Sequence, residues 1–313
     1  MAFRKMLPLS LLLVLLVVPT AEAKLRVGVG DQNAAMFDSS RWQSLKLKRT
    51  RYIVPWDWAK VDWQRAEVEY FMNRARAANQ QVLVTFSARR GCWNGARYSR
   101  STACRAPSAK AYKNAFARFD NAFPWVKTYS PWNEVNHQSQ PTYRKPGLAV
   151  RYYEVLRKLA GKRRFKVMAA DMLDTSNMAP YLRAFLRLAK GSPRLWGLHN
   201  YQDVNYRTSA DTRLMLSLVP GEVWLTETGG IVKFGRLKYS PSRAAARTKW
   251  MFTLANRYDT RQRGLRSKIT QLFVFRWFGE ASRAARFDAG LVNANGTPRK
   301  PYSVFARYAK KYR

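Results

Sequence analysis

The chain has 313 residues, 57 Lys and Arg against 19 Asp and Glu, a net charge of +38 and 47% hydrophobic residues. The apolar fraction excludes a disordered basic tail. Two His and two Cys exclude a zinc finger and leave little for any His/Cys metal site, so no metal or cofactor is expected.

Arg4 and Lys5 precede an apolar run from Leu7 to Val18, then Pro19 and Ala21-Glu22-Ala23. A charged start, a short apolar stretch and an A-x-A site describe a cleavable secretory signal peptide over 1–23. As a helix the run rises about 18 Å, short of the ~30 Å hydrocarbon core that an anchor must span. The remaining domain, 24–313, is expected to be secreted.

From there, strand-length apolar runs alternate with helix-length amphipathic stretches. The strands are predicted at Leu25–Gly30, Arg51–Pro55, Gln81–Phe86, Trp125–Ser130, Phe165–Ala170, Leu195–His199, Val223–Thr226 and Thr270–Phe275. Helices are predicted at Gln64–Ala78, Ala109–Asn121, Leu148–Leu159, Tyr181–Ala189, Arg243–Arg257 and Tyr302–Lys311. Ser108 and Ser240-Pro241 stand where caps belong. After the third strand, Cys92 and Cys104 bracket an Arg-, Gly- and Ser-rich loop, and export makes them a disulfide pair. Near-continuous apolar strands imply parallel strands buried on both faces. Eight of them predict an α/β fold, a single (β/α)8 TIM barrel. The doubly wound alternative requires G-x-G-x-x-G, but Gly28 and Gly30 are followed by Asp31-Gln32-Asn33.

Reactive groups of such a barrel sit at the C-terminal ends of the strands. Those ends carry Asp31 and Gln32, then Trp56-Asp57-Trp58, then Trp132-Asn133-Glu134-Val135-Asn136-His137 after the fourth. His199-Asn200-Tyr201 follows the sixth, Glu227-Thr228-Gly229-Gly230 the seventh and Trp277 the eighth. Glu67, Glu69 and Glu154 fall on helices, and Glu222 precedes its strand. Glu134 and Glu227 are therefore the carboxylates placed for chemistry. Two carboxylates across a cleft suit glycoside hydrolysis, one as acid and base, the other attacking the anomeric carbon or activating water. Aromatic residues nearby suit the C–H faces of sugar rings. Two carboxylates ~5 Å apart are expected to raise one pKa, leaving Glu134 the proton if an arginine keeps Glu227 ionised.

Tyr129-Ser130-Pro131-Trp132-Asn133-Glu134-Val135-Asn136 and Trp224-Leu225-Thr226-Glu227-Thr228-Gly229 resemble the Trp-Asn-Glu-Pro-Asn and Thr-Glu-x-Gly signatures of clan A glycoside hydrolases, which are retaining (β/α)8 barrels. The segment Asp288–Pro298 also resembles an ending common in such barrels. The resemblance implies that Glu134 is the acid/base and Glu227 the nucleophile. It implies that Asn133 binds the hydroxyl beside the reacting carbon, and that His199 and Tyr201 line the catalytic subsite with Tyr201 in reach of the nucleophile. Trp277 would be the sugar platform, Trp56 a further substrate contact, and Arg51 the arginine supporting the nucleophile. Val135 departs from the pattern's Pro, at a cost in turn rigidity, and the spacing of Arg51 to Trp56 departs as well. A transglycosylase on the same scaffold remains open.

Positive charge is spread along the chain, unlike a nucleic-acid footprint, so no specific nucleic acid is expected. Its densest stretch, Lys158 with Lys162-Arg163-Arg164 and Lys166, enters the fifth strand from below, far from the reactive end. The expected partner is a carbohydrate substrate, with electrostatic association to an anionic cell envelope or acidic polysaccharide, and the protein is expected to be a monomer. The competing class is a catalytically degenerate cationic barrel that binds anionic envelope polymers or extracellular nucleic acid.

Overall fold

The computed structural model describes residues 25–312; the expected signal peptide lies outside them. The strands are β1 (Arg26–Gly30), β2 (Arg49–Pro55), β3 (Gln81–Ser87), β4 (Thr128–Ser130), β5 (Lys166–Val167), β6 (Asp171–Leu173), β7 (Leu195–His199), β8 (Gly221–Thr228), β9 (Lys233–Phe234), β10 (Ser267–Phe275) and β11 (Phe287–Asp288). The helices are α1 (Ser40–Leu45), α2 (Asp62–Ala77), α3 (Ala109–Ala122), α4 (Pro146–Arg163), α5 (Met178–Leu188), α6 (Tyr201–Tyr206), α7 (Ala210–Leu218), α8 (Pro241–Arg257) and α9 (Lys300–Lys311).

Nine strands run in the order β5-β4-β3-β2-β1-β10-β8-β7-β6, all parallel. The two ends of that order, β5 and β6, are halves of one barrel strand, 166–173. Its residues bond to both neighbours: Met168 N–H donates to Tyr129 O and Ala169 N–H to Leu195 O, each at 2.8 Å. The sheet therefore closes into an eight-stranded barrel, as the apolar pattern implies. A short antiparallel ribbon, β9 with β11, stands on its rim.

The predicted caps form: Ser108 Oγ accepts from Ala111 N–H, and Ser240 Oγ from Arg243 N–H behind Pro241 at the first turn. Two strand ends differ from expectation, and both matter. The fifth strand runs on to Leu173 rather than stopping at Ala170, so Asp171 is inside the barrel. The seventh, β8, runs to Thr228, so Glu227 is a strand residue and not a loop residue.

Inside the barrel the lower layers are apolar, with Leu83, Met168, Trp224 and Phe273 in one buried cluster. Above that plug lie polar residues. Gly197 makes room for them, because a Cβ there would collide with the Asp171 carboxylate and the Met168 sulfur. The outer core packs helices against the barrel, as where the Phe86 ring meets Tyr112, Phe116 and Phe119 of α3.

The candidate active site

Arg51 is the hub of the polar layer. It projects inward from β2, 1% exposed, and fans out to three other strands. Its Nη1 donates to Glu227 Oε1 at 2.6 Å, and its Nη2 donates to Asn133 Oδ1 at 2.7 Å and Asp171 Oδ2 at 2.9 Å. Its Nε donates to Thr85 Oγ1 at 3.2 Å. A buried guanidinium needs compensation of this kind, since an unpaired charge in the interior costs several kcal/mol.

His199 ends β7 and is fully buried. Its Nδ1 lies 3.1 Å from Glu134 Oε1 and 3.6 Å from Glu227 Oε2, and its Nε2 lies 3.2 Å from Asp171 Oδ1. Asp171 also accepts from the Thr226 hydroxyl. Arg51 Nη2 and His199 Nε2 approach to 3.3 Å, and Asp171 is the anion both share. Tyr201 donates to Glu227 Oε2 at 3.2 Å.

The electrostatics follow from this crowding. Burial alone would lower the His199 pKa, but Glu227 and Asp171 outweigh it and raise it to about 10. Burial would raise Asp171, but His199 and Arg51 hold it at about 2. Glu134 does not behave as expected. Burial acts to raise it, yet the hydrogen bond and charge of His199 bring it below the ordinary carboxylate value. Both directions favour the proton on His199 over Glu134.

Glu134 adopts φ 43°, the left-handed region, immediately after Asn133. Its loop is tied at both flanks: Asn133 N–H donates to Phe86 O at 2.7 Å, and Val135 N–H to Asp171 O at 3.0 Å. The latter bond corrects the expectation about Val135. A proline there has no N–H, so what the turn loses in ring rigidity it regains as a hydrogen bond to the fifth strand.

Oxygens of Glu134 and Glu227 and a nitrogen of His199 all lie within 4.8 Å of one another. The spacing would suit a divalent ion. Glu134 and Glu227 open onto a cavity of about 370 Å³ whose lining also includes His137, Tyr201, Phe275 and Phe287.

Of the predicted substrate contacts only Tyr201 is among the lining residues; Arg51, Asn133 and His199 belong to the buried polar layer behind it, and Trp277 and Trp56 lie elsewhere. Trp277 is fully buried, with its ring edge-on to Tyr302 at 5.8 Å. β10 ends at Phe275, whose side chain lines the cavity, while Asp31 Oδ2 accepts from the N–H groups of Trp277 and Phe278 at 2.9 and 3.0 Å. Phe275, not Trp277, is therefore the aromatic residue that β10 presents to the cavity. Trp56 is half-buried, with the Lys60 ammonium 5.1 Å from its ring, and lines a separate hollow of about 220 Å³ beside α3.

Three features escaped the sequence reading. Asp171 holds the two cations together. Asp174, pushed well above the usual carboxylate range by burial, lines the cavity with its Oδ1 unpartnered. Trp93 packs edge-on to His137 at 5.9 Å, from a loop closed by the Cys92–Cys104 disulfide. The cysteine spacing was the one available signal for that loop.

Fold and site together define a (β/α)8 barrel with paired carboxylates at the ends of its fourth and seventh strands. No protein-family model matches the sequence, and no curated protein matches it. Solved structures do match in fold. A family 39 glycoside hydrolase from Bacteroides cellulosilyticus WH2 superposes at TM-score 0.57 with 15% identity, over 92% of this chain and 64% of that one. The GH5_18 protein of Streptomyces cattleya, solved with GlcNAc, gives 0.63 and 10% identity over 93% and 81% of the two chains. The β-glycosidase BGL167 gives 0.58 and 11% over 94% and 98%. This chain thus spans just under two thirds of the family 39 enzyme.

Proposed function

We propose that the protein is a retaining glycoside hydrolase that cleaves O-glycosidic bonds by double displacement, with Glu227 as nucleophile and Glu134 as acid/base. The observation that carries this reading is the approach of the two carboxylates, with oxygens within 4.8 Å, at the open end of a barrel. Retention goes with a separation of ~5–5.5 Å and inversion with ~6.5–9.5 Å, where a water must fit between.

In this mechanism Arg51 and Tyr201, both bonded to Glu227, hold its carboxylate aimed at the anomeric carbon. As the C–O bond to Glu227 forms, its negative charge disappears and the imidazolium of His199 loses its strongest attraction. The proton passes from His199 Nδ1 to Glu134, and Glu134 protonates the leaving oxygen as the glycosidic bond breaks. In the second displacement Glu134 accepts a proton from water, the water oxygen bonds to the anomeric carbon, and Glu227 leaves as a carboxylate. His199 then recovers its proton. Asn133, whose Oδ1 is taken by Arg51, keeps its amide N–H groups for a sugar hydroxyl. Phe275 and Phe287 offer apolar faces to the ring.

Export is part of this proposal, supported by the Cys92–Cys104 disulfide, which belongs in an oxidising compartment. The test is a panel of neutral and acidic oligosaccharides and aryl glycosides. Wild type should release product from at least one, and Glu134→Ala and Glu227→Ala should each lose release while still folding. Absence of release across the panel, with binding indifferent to both replacements, favours the degenerate binding barrel.

A further inference from the structure

The opposite mouth of the barrel is built as a second site. Strand side chains alternate in direction, so residues two before an inward one also point inward. Arg49 precedes Arg51 by two on β2, Arg26 precedes Gly28 on β1, and Gln271 precedes Phe273 on β10. Together with Lys127, Arg164 and Lys166 they line a hollow of about 370 Å³ at the N-terminal ends of the strands, floored by Leu83 and Trp224 of the apolar plug. Five cations line it and no carboxylate does.

Most of that charge is uncompensated. Arg26 is tied to Glu222 at 3.4 Å, just outside the hollow, and Lys127 Nζ donates to Pro124 O at 2.8 Å. Among the described residues, the side chains of Arg49, Arg164 and Lys166 make no hydrogen bond or ion pair, though Lys166 feels the charge of Glu222. Burial and the like charge of Arg26 both push the Arg49 pKa down, so an anion arriving in the hollow would be favoured there.

The hollow has further features that suit a sugar. The half-buried Trp125 contributes an indole to its wall. Gln80, 5% exposed and shared with a neighbouring hollow around Lys46 and Lys48, has a buried Oε1 with no partner, an acceptor for a hydroxyl. The second indole, Trp224, is covered by the Arg26 guanidinium at 5.4 Å. A single free stacking face does not match single-stranded nucleic acid, which uses successive platforms along a groove.

We propose that this N-terminal hollow is a non-catalytic binding site for an anionic oligosaccharide carrying carboxylate or sulfate groups. Arg49, Arg164 and Lys166 meet the anion, Trp125 packs on the ring and Gln80 accepts a hydroxyl. The binding claim stands on the hollow alone. Its use, holding the protein on a polymer whose glycosidic bonds reach the other mouth, rests on the hydrolase reading and would act through effective concentration.

The test is calorimetric titration of the full chain with a hexagalacturonate, a sulfated hexasaccharide, a neutral hexasaccharide and dT20. Titrations use wild type, the triple variant Arg49→Gln/Arg164→Gln/Lys166→Gln, and a control triple variant with the same charge change, Arg183→Gln/Arg187→Gln/Lys190→Gln on exposed positions of α5 and its end. Wild type should bind one of the acidic hexasaccharides at least tenfold more tightly than the neutral one. The first triple should weaken that binding about tenfold, and the control less than twofold. Both triples should melt as wild type does. Equal weakening by the two triples would make the binding a property of the overall charge and overturn the site. Tighter binding of dT20 than of either acidic sugar, lost in the first triple, would reassign the hollow to nucleic acid. Failure to hydrolyse any glycoside would leave the binding result standing and remove only its use.

Discussion

Asp171→Asn probes the buried charge cluster with the least change of shape. Asp171 is fully buried and accepts from Arg51 at 2.9 Å, from His199 at 3.2 Å and from the Thr226 hydroxyl. Its folded pKa of about 2 lies below the ~3.9 of an unfolded chain. The gap corresponds to about 2.5 kcal/mol of stability. Because the folded value is depressed, that stability is present above pH ~3.9 and is lost as pH falls through about 2. Asparagine keeps the shape but removes the anion between two cations, so the variant should lose about 2–3 kcal/mol at pH 7. That corresponds to a melting temperature lower by about 5 °C. His199 changes in the opposite sense. Its folded pKa is raised to about 10, so its share of stability is present below ~6.5 and is lost as pH rises through 10. With Asp171 neutral, that value should fall, and the alkaline limb of kcat/KM should move down with it. Calorimetric melts and a pH–rate profile read both effects. An unchanged melting temperature together with an unmoved alkaline limb would refute the shared-anion account.

Other replacements separate the roles at the cavity. Glu134→Ala should lower kcat by about 10²–10⁴-fold, with azide restoring turnover as a product of retained configuration. Glu227→Ala should lose turnover altogether, and any azide rescue should give the opposite anomer. Phe275→Ala should raise KM at little cost in melting temperature, whereas Trp277→Leu, at a fully buried ring, should cost about 2–4 kcal/mol of stability. Cys92→Ser with Cys104→Ser should lose about 3 kcal/mol by the chain-entropy estimate and loosen Trp93 from His137. Near-ultraviolet circular dichroism and thermal melts read that change.

Much of the site was legible because its residue types are scarce. With seven Glu after residue 23, two of them at strand ends stood out, and Asn133, Arg51, His199 and Tyr201 fell into place around them. The strand-end positions held because parallel barrel strands are buried on both faces and read as apolar runs. Asp171 was lost for the same reason. A charged residue reads as the end of such a run, and only Arg51 from β2 and His199 from β7, distant in sequence, make its burial affordable. Trp277 was misplaced by two residues of strand alternation, settled when Asp31 captures the backbone beyond Phe275. The proton's position was illegible too, since it depends on His199 facing three carboxylates at once. Charge also read differently in three dimensions, because an even spread along the chain still gathers five cations at one mouth.

The most direct test is the anomeric configuration of the first product, followed by proton NMR during turnover of any glycoside the wild-type protein cleaves. An oxygen of Glu134 within 4.8 Å of one of Glu227 suits the close pair of a retaining enzyme better than the ~6.5–9.5 Å of an inverting one, so the first-formed product should retain the substrate's configuration. An inverted first product would contradict the assignment of Glu227 as nucleophile.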